Sequence, residues 1–309
     1  MTYPVHVFAG DPLDRADALR RDESWIQARL AREDSRFLTF DELKVLAERG
    51  PPTALSWVGP AVLSIKAPGA APLFLGTRDD TAYFGLDVSG NGERIYTNGA
   101  SPHAAFEDAR NTAAHLSIAQ SGTLAHAKSL VDWHARHGFC ANCGARTAAH
   151  FGGKERICSG CGAHHYPRTD PVAIMLVHHG DRCLLGRSRR RVTKLYSALA
   201  GFVDQGESIE GAVRREVWEE AGIRVGAVRY HSSQPWPFPA SLMIGCLAEA
   251  ISTEIVVDEH ELADVQWFDR ETVRKVLDKA PDAARELELP GRIAIAHHLI
   301  RAWIAPMAG

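Results

Sequence analysis

Apolar residues return at every fourth position in one stretch, GFVDQGESIEGAVRREVWEEAGI (residues 201–223), at Ile209, Val213 and Val217. A period near that of the α-helix places them on one face, against a core. Glu216, Glu219 and Glu220 stand at i, i+3 and i+4, so their carboxylates leave the helix on roughly one side. A glycine-rich turn precedes this helix and Gly222 is its expected C-terminal cap. Glu207 and Arg215 are expected to pair and to brace the turn against the helix.

Strand patterns flank this helix. Val172–His178, Cys183–Arg187, Arg229–His231, Leu242–Ile251 and Val265–Phe268 read as strands, with helices near Glu271–Asp278 and Ile293–Ile304. Further upstream, Thr53–Ile65 and Ala71–Val88 read as strands, the second turning at Arg78-Asp79-Asp80. Asp108–Ile118 and Thr123–His134 read as helices, with Gly138 ending the second. The pattern divides the chain into an N-terminal α+β domain over residues 1–136, a cysteine-rich segment over 137–166 and an α/β domain over 167–309.

Composition changes this picture little. In 309 residues the apolar fraction of 45% and charged fraction of 24% are those of an ordinary globular protein. A net charge of −3 gives no support for a large nucleic-acid-binding face. No apolar run reaches the ~18 residues of a membrane span. The first residues lack a basic, then apolar, signal segment, and Met-Ala-Gly at the end is not a peroxisomal address, so a cytoplasmic location is expected.

Four of the cysteines come in pairs, Cys140-x-x-Cys143 and Cys158-x-x-Cys161. The spacing is that of a tetrathiolate zinc ribbon, and Gly144 and Gly162 directly follow each pair, where tight turns are needed. Such a site has no open ligand position, so one structural zinc is expected. A redox dithiol or disulfides form the competing reading. Cys183 and Cys246 lie in apolar strand-like runs and are expected to be buried thiols.

Crowded carboxylates destabilise a helix unless something neutralises them, and hard divalent cations such as Mg²⁺ or Mn²⁺ do so through oxygen ligands. The spacing of Gly201, Glu207, Arg215, Glu216, Val217, Glu219, Glu220, Gly222 and Ile223 resembles the Nudix box at every fixed position. A second string, Ser233-Gln-Pro-Trp-Pro-Phe-Pro-Ala-Ser241, is similar to the SQPWPFPxS signature of the NADH pyrophosphatase branch of that family. Its prolines make a stiff surface that loses little entropy on binding, and Trp236 and Phe238 offer flat faces for a base or nicotinamide ring.

The resemblance implies an α/β/α sandwich and hydrolysis of the pyrophosphate of NADH or NAD⁺ to nicotinamide mononucleotide and AMP. It further implies removal of NAD caps from RNA 5′ ends. The N-terminal domain, which carries no motif assignable to chemistry, is expected to serve packing and dimerisation, giving a homodimer. Carried over by motif, Glu216, Glu219, Glu220 and Glu261, with the carbonyl of Ala200, would hold two to three Mg²⁺ or Mn²⁺ ions. The general base would be Glu220 or Glu219. Tyr166, Phe202, Gln234, Pro235, Trp236, Pro237, Phe238, Pro239, Ala240, Ser241 and Ala296 would line the dinucleotide pocket. The pattern is broken at Gly153, where that branch has an acidic residue; Glu155 is nearby. The basic run Arg187, Arg189, Arg190, Arg191 and Lys194 is either a solvated loop or an attractor of anionic substrate. The runner-up functions are hydrolysis of ADP-ribose or a related diphosphate, and ligand sensing without catalysis.

Overall fold

The computed structural model describes residues 6–189, 194–280 and 287–305. Residues 7–169 cluster with 235–240 into one unit; the described residues of 170–234 and 241–305, with His6, form the other.

The N-terminal unit opens with short helices α1 (Asp17–Arg20) and α2 (Glu23–Leu30), the latter capped by Asp22, whose side chain accepts from Trp25 N. A sheet follows, in the order β3 (Ala54–Leu55), β2 (Lys44–Glu48), β1 (Arg36–Asp41), β6 (Thr81–Asp87) and β5 (Leu73–Arg78). β4 (Trp57–Val58) pairs with β1, and β7 (Ala104–Glu107) with β2. Phe37, Phe74 and Phe84 fill its core, with Phe37 stacked on Phe84 at 5.1 Å.

The expected strand over Thr53–Ile65 is corrected: beyond two short pieces, Pro60–Ile65 winds into a 3₁₀ helix. Pro60 sits at its first position, where a missing N–H costs nothing. The second strand, Ala71–Val88, is the β5–β6 hairpin, turning at Asp79-Asp80. The first expected helix is shorter, α3 (Ala109–Ala113), and the second longer, α4 (Ile118–Arg136), because Ser117 caps it by accepting from Gln120 N. The cysteine-rich segment forms a small sheet in the order β10 (His164–His165), β9 (Glu155–Cys158), β8 (Thr147–His150).

In the other unit one sheet is buried on both faces. Its order is β14 (Val225–Trp236), β15 (Ser241–Ala250), β11 (Asp170–His179), β12 (Arg182–Ser188), β16 (Leu262–Asp269), and β13 (Leu199–Phe202) pairs with β11. Alternation along β11 sends Ala173, Met175 and Val177 to one side and Ile174 and Leu176 to the other. Against the first side lie Ala212, Val213 and Val217 of α5 (Ile209–Ala221). Against the second lie Val273 of α6 (Arg270–Leu277) and Leu299, Ile300 and Trp303 of α7 (Ile295–Ile304). This is an α/β/α sandwich. Cys183 and Cys246 are buried in it, and burial pushes their thiols up to about 12 and about 11.

Candidate active site

Helix α5 starts where Ser208 accepts a hydrogen bond from Gly211 N at 3.1 Å. It ends at Gly222, whose φ of 66° admits the left-handed cap. A Cβ on Gly222 would also lie 2.8 Å from Val256 Cβ, so the segment after β15 needs this glycine to reach the helix end. There Val256 N donates to Ala221 O and Asp258 N to Glu220 O, which holds the Asp258–Glu261 turn beside the C-terminal half of α5.

Arg215 organises the acidic face. Its Nε and Nη2 meet both oxygens of Glu207 at 2.8 Å, while Nη1 reaches Glu216 at 2.7 Å and Glu219 at 3.0 Å. Nη2 also donates to the carbonyl of Phe202, joining β13 to the helix. Hydrogen bonds from Arg215 and the Asp204 N–H draw the Glu207 carboxyl down to about 2. The same carboxylates raise the already high pKa of Arg215.

Glu220 has no such partner. It is buried, and its Oε2 finds no hydrogen bond within the described residues. Burial, followed by the charges of Glu216, Glu261, Glu219 and Asp258, pushes its carboxyl up to about 8. Glu216 is raised too, first by burial, although Arg215 pulls it back. A buried carboxylate in the field of four other acids fits a site for divalent cations with oxygen ligands, although among the described residues no three of these acids bring carboxylate oxygens within 4.8 Å of one another. Asp258 was not singled out from the sequence; only its place one helix end from Glu220 exposes its role in this field.

The four thiols fit a tetrahedral metal more tightly. Their sulfurs all lie within 4.8 Å of one another, the one such group among the described residues. N–H groups of Cys161 and Gly160 point at the Cys158 sulfur and lower its thiol to about 6, towards the thiolate a zinc ion needs.

The remaining expected site residues are dispersed. Phe202 and Tyr166 are exposed rings, and Tyr166 lies parallel to His164. Ala200 pairs with Ile174 in the sheet. Gln234 is fully buried with both ends of its amide engaged: Nε2 donates to Ile293 O and Oε1 accepts from Ile295 N, each at 2.8 Å. It thereby caps α7, which carries the buried Ala296. Pro235, Trp236, Pro237, Phe238, Pro239 and Ala240 cluster with the N-terminal unit, and Ser241 begins β15.

Glu155, near Gly153, is buried and held by two histidines. Burial opposes its charge, but His164 and His150, at 3.0 and 2.8 Å, outweigh that and hold its pKa down, so its carboxylate is already occupied. Gly153 itself has φ 90°, and a Cβ there would strike Leu73 at 2.7 Å. Of the basic run, Arg189 binds the carbonyl of Glu259 and Arg187 lies over the Tyr196 ring, while Arg190 and Arg191 fall outside the described residues.

Residues 167–289 match the NUDIX domain, and residues 34–133 the NADH pyrophosphatase-like rudimentary NUDIX domain. A protein of Pseudomonas aeruginosa, the NAD-capped RNA hydrolase NudC, is 42% identical over 208 residues, which cover 67% of this chain and 70% of that one. The chain belongs to the Nudix hydrolase family. Other Nudix relatives are longer. The human NAD-capped RNA hydrolase NUDT12 is 50% identical over 60% of this chain but only 42% of its own length. The mouse mitochondrial NAD(P)H pyrophosphatase NUDT13 is 42% identical over 64% of this chain and 59% of its own. This chain therefore aligns with less than half of the human Nudix relative. The rudimentary Nudix match falls on the sheet and helices before the ribbon, a region whose sequence carries no catalytic signature.

Proposed function

We propose that this protein is a metal-dependent pyrophosphatase of NADH and NAD⁺, releasing nicotinamide mononucleotide and AMP, and that it removes NAD caps from RNA 5′ ends. The carrying observation is the unpartnered carboxylate of Glu220, raised to about 8 among Glu216, Glu219, Glu261 and Asp258. Names of the relatives from Pseudomonas, human and mouse support the substrate class.

Glu216, Glu219, Glu220 and Glu261, with the Ala200 carbonyl, would hold two to three Mg²⁺ or Mn²⁺ ions. Such ions supply positive charge against the phosphate oxygens and acidify a bound water. Arg215 aims Glu216 and Glu219, because its fork is fixed by Glu207 from the preceding turn. As water oxygen bonds to phosphorus, the bridging P–O bond breaks, and the proton lost from water goes to a carboxylate, Glu220 or Glu219. Trp236 and Phe238 would take a flat ring of the dinucleotide, with Tyr166 and Phe202 as further exposed rings. Cys140, Cys143, Cys158 and Cys161 would hold one structural zinc.

The working form would be a homodimer in the cytoplasm. Among the described residues no helix is long and apolar enough to cross a membrane. Mass spectrometry of products from NADH with Mg²⁺ or Mn²⁺ tests the proposal. Equimolar AMP and reduced nicotinamide mononucleotide are expected, and intact NADH after prolonged incubation would overturn it.

A further inference from the structure

Between helix α4 and the cysteine ribbon, the N-terminal unit encloses a cleft of about 450 Å³. Its walls come from the loop ahead of β5, from His134 of α4, and from Phe139, Arg146, Thr147 and Arg156 of the ribbon. That volume suits a small organic molecule or ion.

Two arginines are buried among the described residues, Arg20 and Arg156. Arg20 spends its guanidinium on the carbonyls of Arg15, Phe74 and Leu75, and Asp17 lies in its field. Arg156 has no acid beside it. Its Nε donates to Thr147 Oγ1 and its Nη2 to Thr147 O, each at 2.7 Å, and Nη1 donates to His134 Nδ1 at 2.8 Å. His134 accepts there because its Nε2 donates to Gly153 O, and burial above all brings its pKa down to about 4. All three acceptors are therefore neutral, and burial lowers the Arg156 pKa with no carboxylate to offset it. These bonds account for where the guanidinium sits. They do not account for its charge, which is costly to bury unanswered. A guanidinium has five N–H groups, so one hydrogen on each terminal nitrogen remains.

Arg146 is a second cation on the cleft, exposed, with Cζ 5.2 Å from the Phe139 centroid. Among the described residues neither arginine forms an ion pair. Asp87 also lines the cleft, but its Oδ1 accepts from Ser89 N at 2.9 Å and Ser89 Oγ at 2.6 Å, and it pairs with neither arginine.

We propose that this cleft is an anion site, in which Arg156 from the buried side and Arg146 from the exposed side bind a phosphate group, free or carried by a small molecule. The planar guanidinium matches phosphate oxygens in geometry, and two cations suit a group that carries up to two negative charges. Such an occupant would answer the buried charge of Arg156. Because α4 and the ribbon both contribute walls, it would also tie the two together.

The test titrates inorganic phosphate and, separately, AMP into the full chain as purified, without added Mg²⁺ or Mn²⁺, by calorimetry and thermal melting. Without those ions the acidic face of α5 repels both probes. The native chain is expected to bind one phosphate group saturably and to melt higher with it. Arg156→Met should weaken binding about tenfold or more, as loss of a charged hydrogen bond would, and remove the melting shift. Arg156→Lys, which keeps the charge without the fork, should fall between. Arg146→Ala should weaken binding about two- to fivefold, the size of one exposed charge contact. If inorganic phosphate binds, the group alone is sufficient; if only AMP binds and Arg156→Met abolishes it, the site takes a phosphate ester. No binding of either probe by the native chain, or binding that Arg156→Met leaves unchanged, would overturn the proposal. Should Arg156→Met not fold, native affinity in both Arg156→Lys and Arg146→Ala overturns it instead.

Discussion

Gly201 has no room for a side chain because the Glu216 carboxyl occupies that space: a Cβ on Gly201 would lie 1.9 Å from Glu216 Cδ and 2.0 Å from its Oε1. The glycine is required by contact rather than by its backbone angle. β13 and α5 approach closely there, and the buried carboxylate is their interface. Gly201→Ala should therefore move Glu216 without removing it. Displacement of a catalytic group by about 1 Å costs on the order of a hundredfold in rate. We expect kcat for NADH to fall by about that factor, with a stability loss of roughly 1–3 kcal/mol from overpacking. Steady-state kinetics beside thermal melts checks it; near-native kcat would show that the helix yields freely.

Glu220→Gln should abolish turnover and stabilise the metal-free protein. The native carboxyl has a folded pKa of about 8 against an ordinary value of 4.5, so folding favours its protonated form. That contribution is present in full below about pH 4.5 and is lost progressively as pH rises towards 8. With chelator present, melting temperature attributable to this group should decline over that interval and the glutamine variant should lack the decline. Mg²⁺ should restore native stability at pH 8 and do little for the variant. Equal pH slopes for the two proteins would refute the assignment.

Much of this site was legible in the sequence because its parts are local. Ile209, Val213 and Val217 marked the buried face of α5, and the Glu207–Arg215 pair is made within one turn-and-helix unit. Contacts that depend on chain return were not legible. Asp258 acquires its influence through Asp258 N donating to Glu220 O, and the sequence does not show that Arg189, in the basic run, holds the Glu259 carbonyl. No elements were assigned before Thr53, although β1 carries the buried Phe37, Leu38 and Phe40. Their run RFLTFD is apolar on both faces, which breaks the alternation that identifies a strand with one wet side. Pro60 likewise turned an apolar run from strand into 3₁₀ helix.

The ribbon thiols predict about one zinc per chain, retained through purification. Cys158→Ser should lose it and lower the melting temperature, since metal binding and folding are coupled in so small a sheet. Elemental analysis and calorimetry on the same sample decide the matter. A zinc-free preparation that keeps both its melting temperature and its activity would remove the structural role.

The signature Ser233–Ser241 should split into a part that supports the fold and a part that meets ligand. Gln234 belongs to the first on the present geometry. Both ends of its amide are consumed by Ile293 O and Ile295 N, and no side chain of α7 itself caps that helix. Gln234→Leu keeps the bulk but leaves a buried N–H and a carbonyl without partners, at a cost of about 1–3 kcal/mol. In a domain of this size the melting temperature should drop by roughly 2–4 °C for each kcal/mol. Phe238→Ala should act differently, raising KM for NADH by about ten- to a hundredfold, as loss of a stacked ring would. A short pyrophosphate ester that cannot reach the loop should be hydrolysed by Phe238→Ala almost as by the native protein. Melting curves and both kinetic constants, measured on each variant at a temperature where it is folded, separate the two halves. A Gln234→Leu protein with an unchanged melting temperature and a raised KM would place that amide in the substrate site instead.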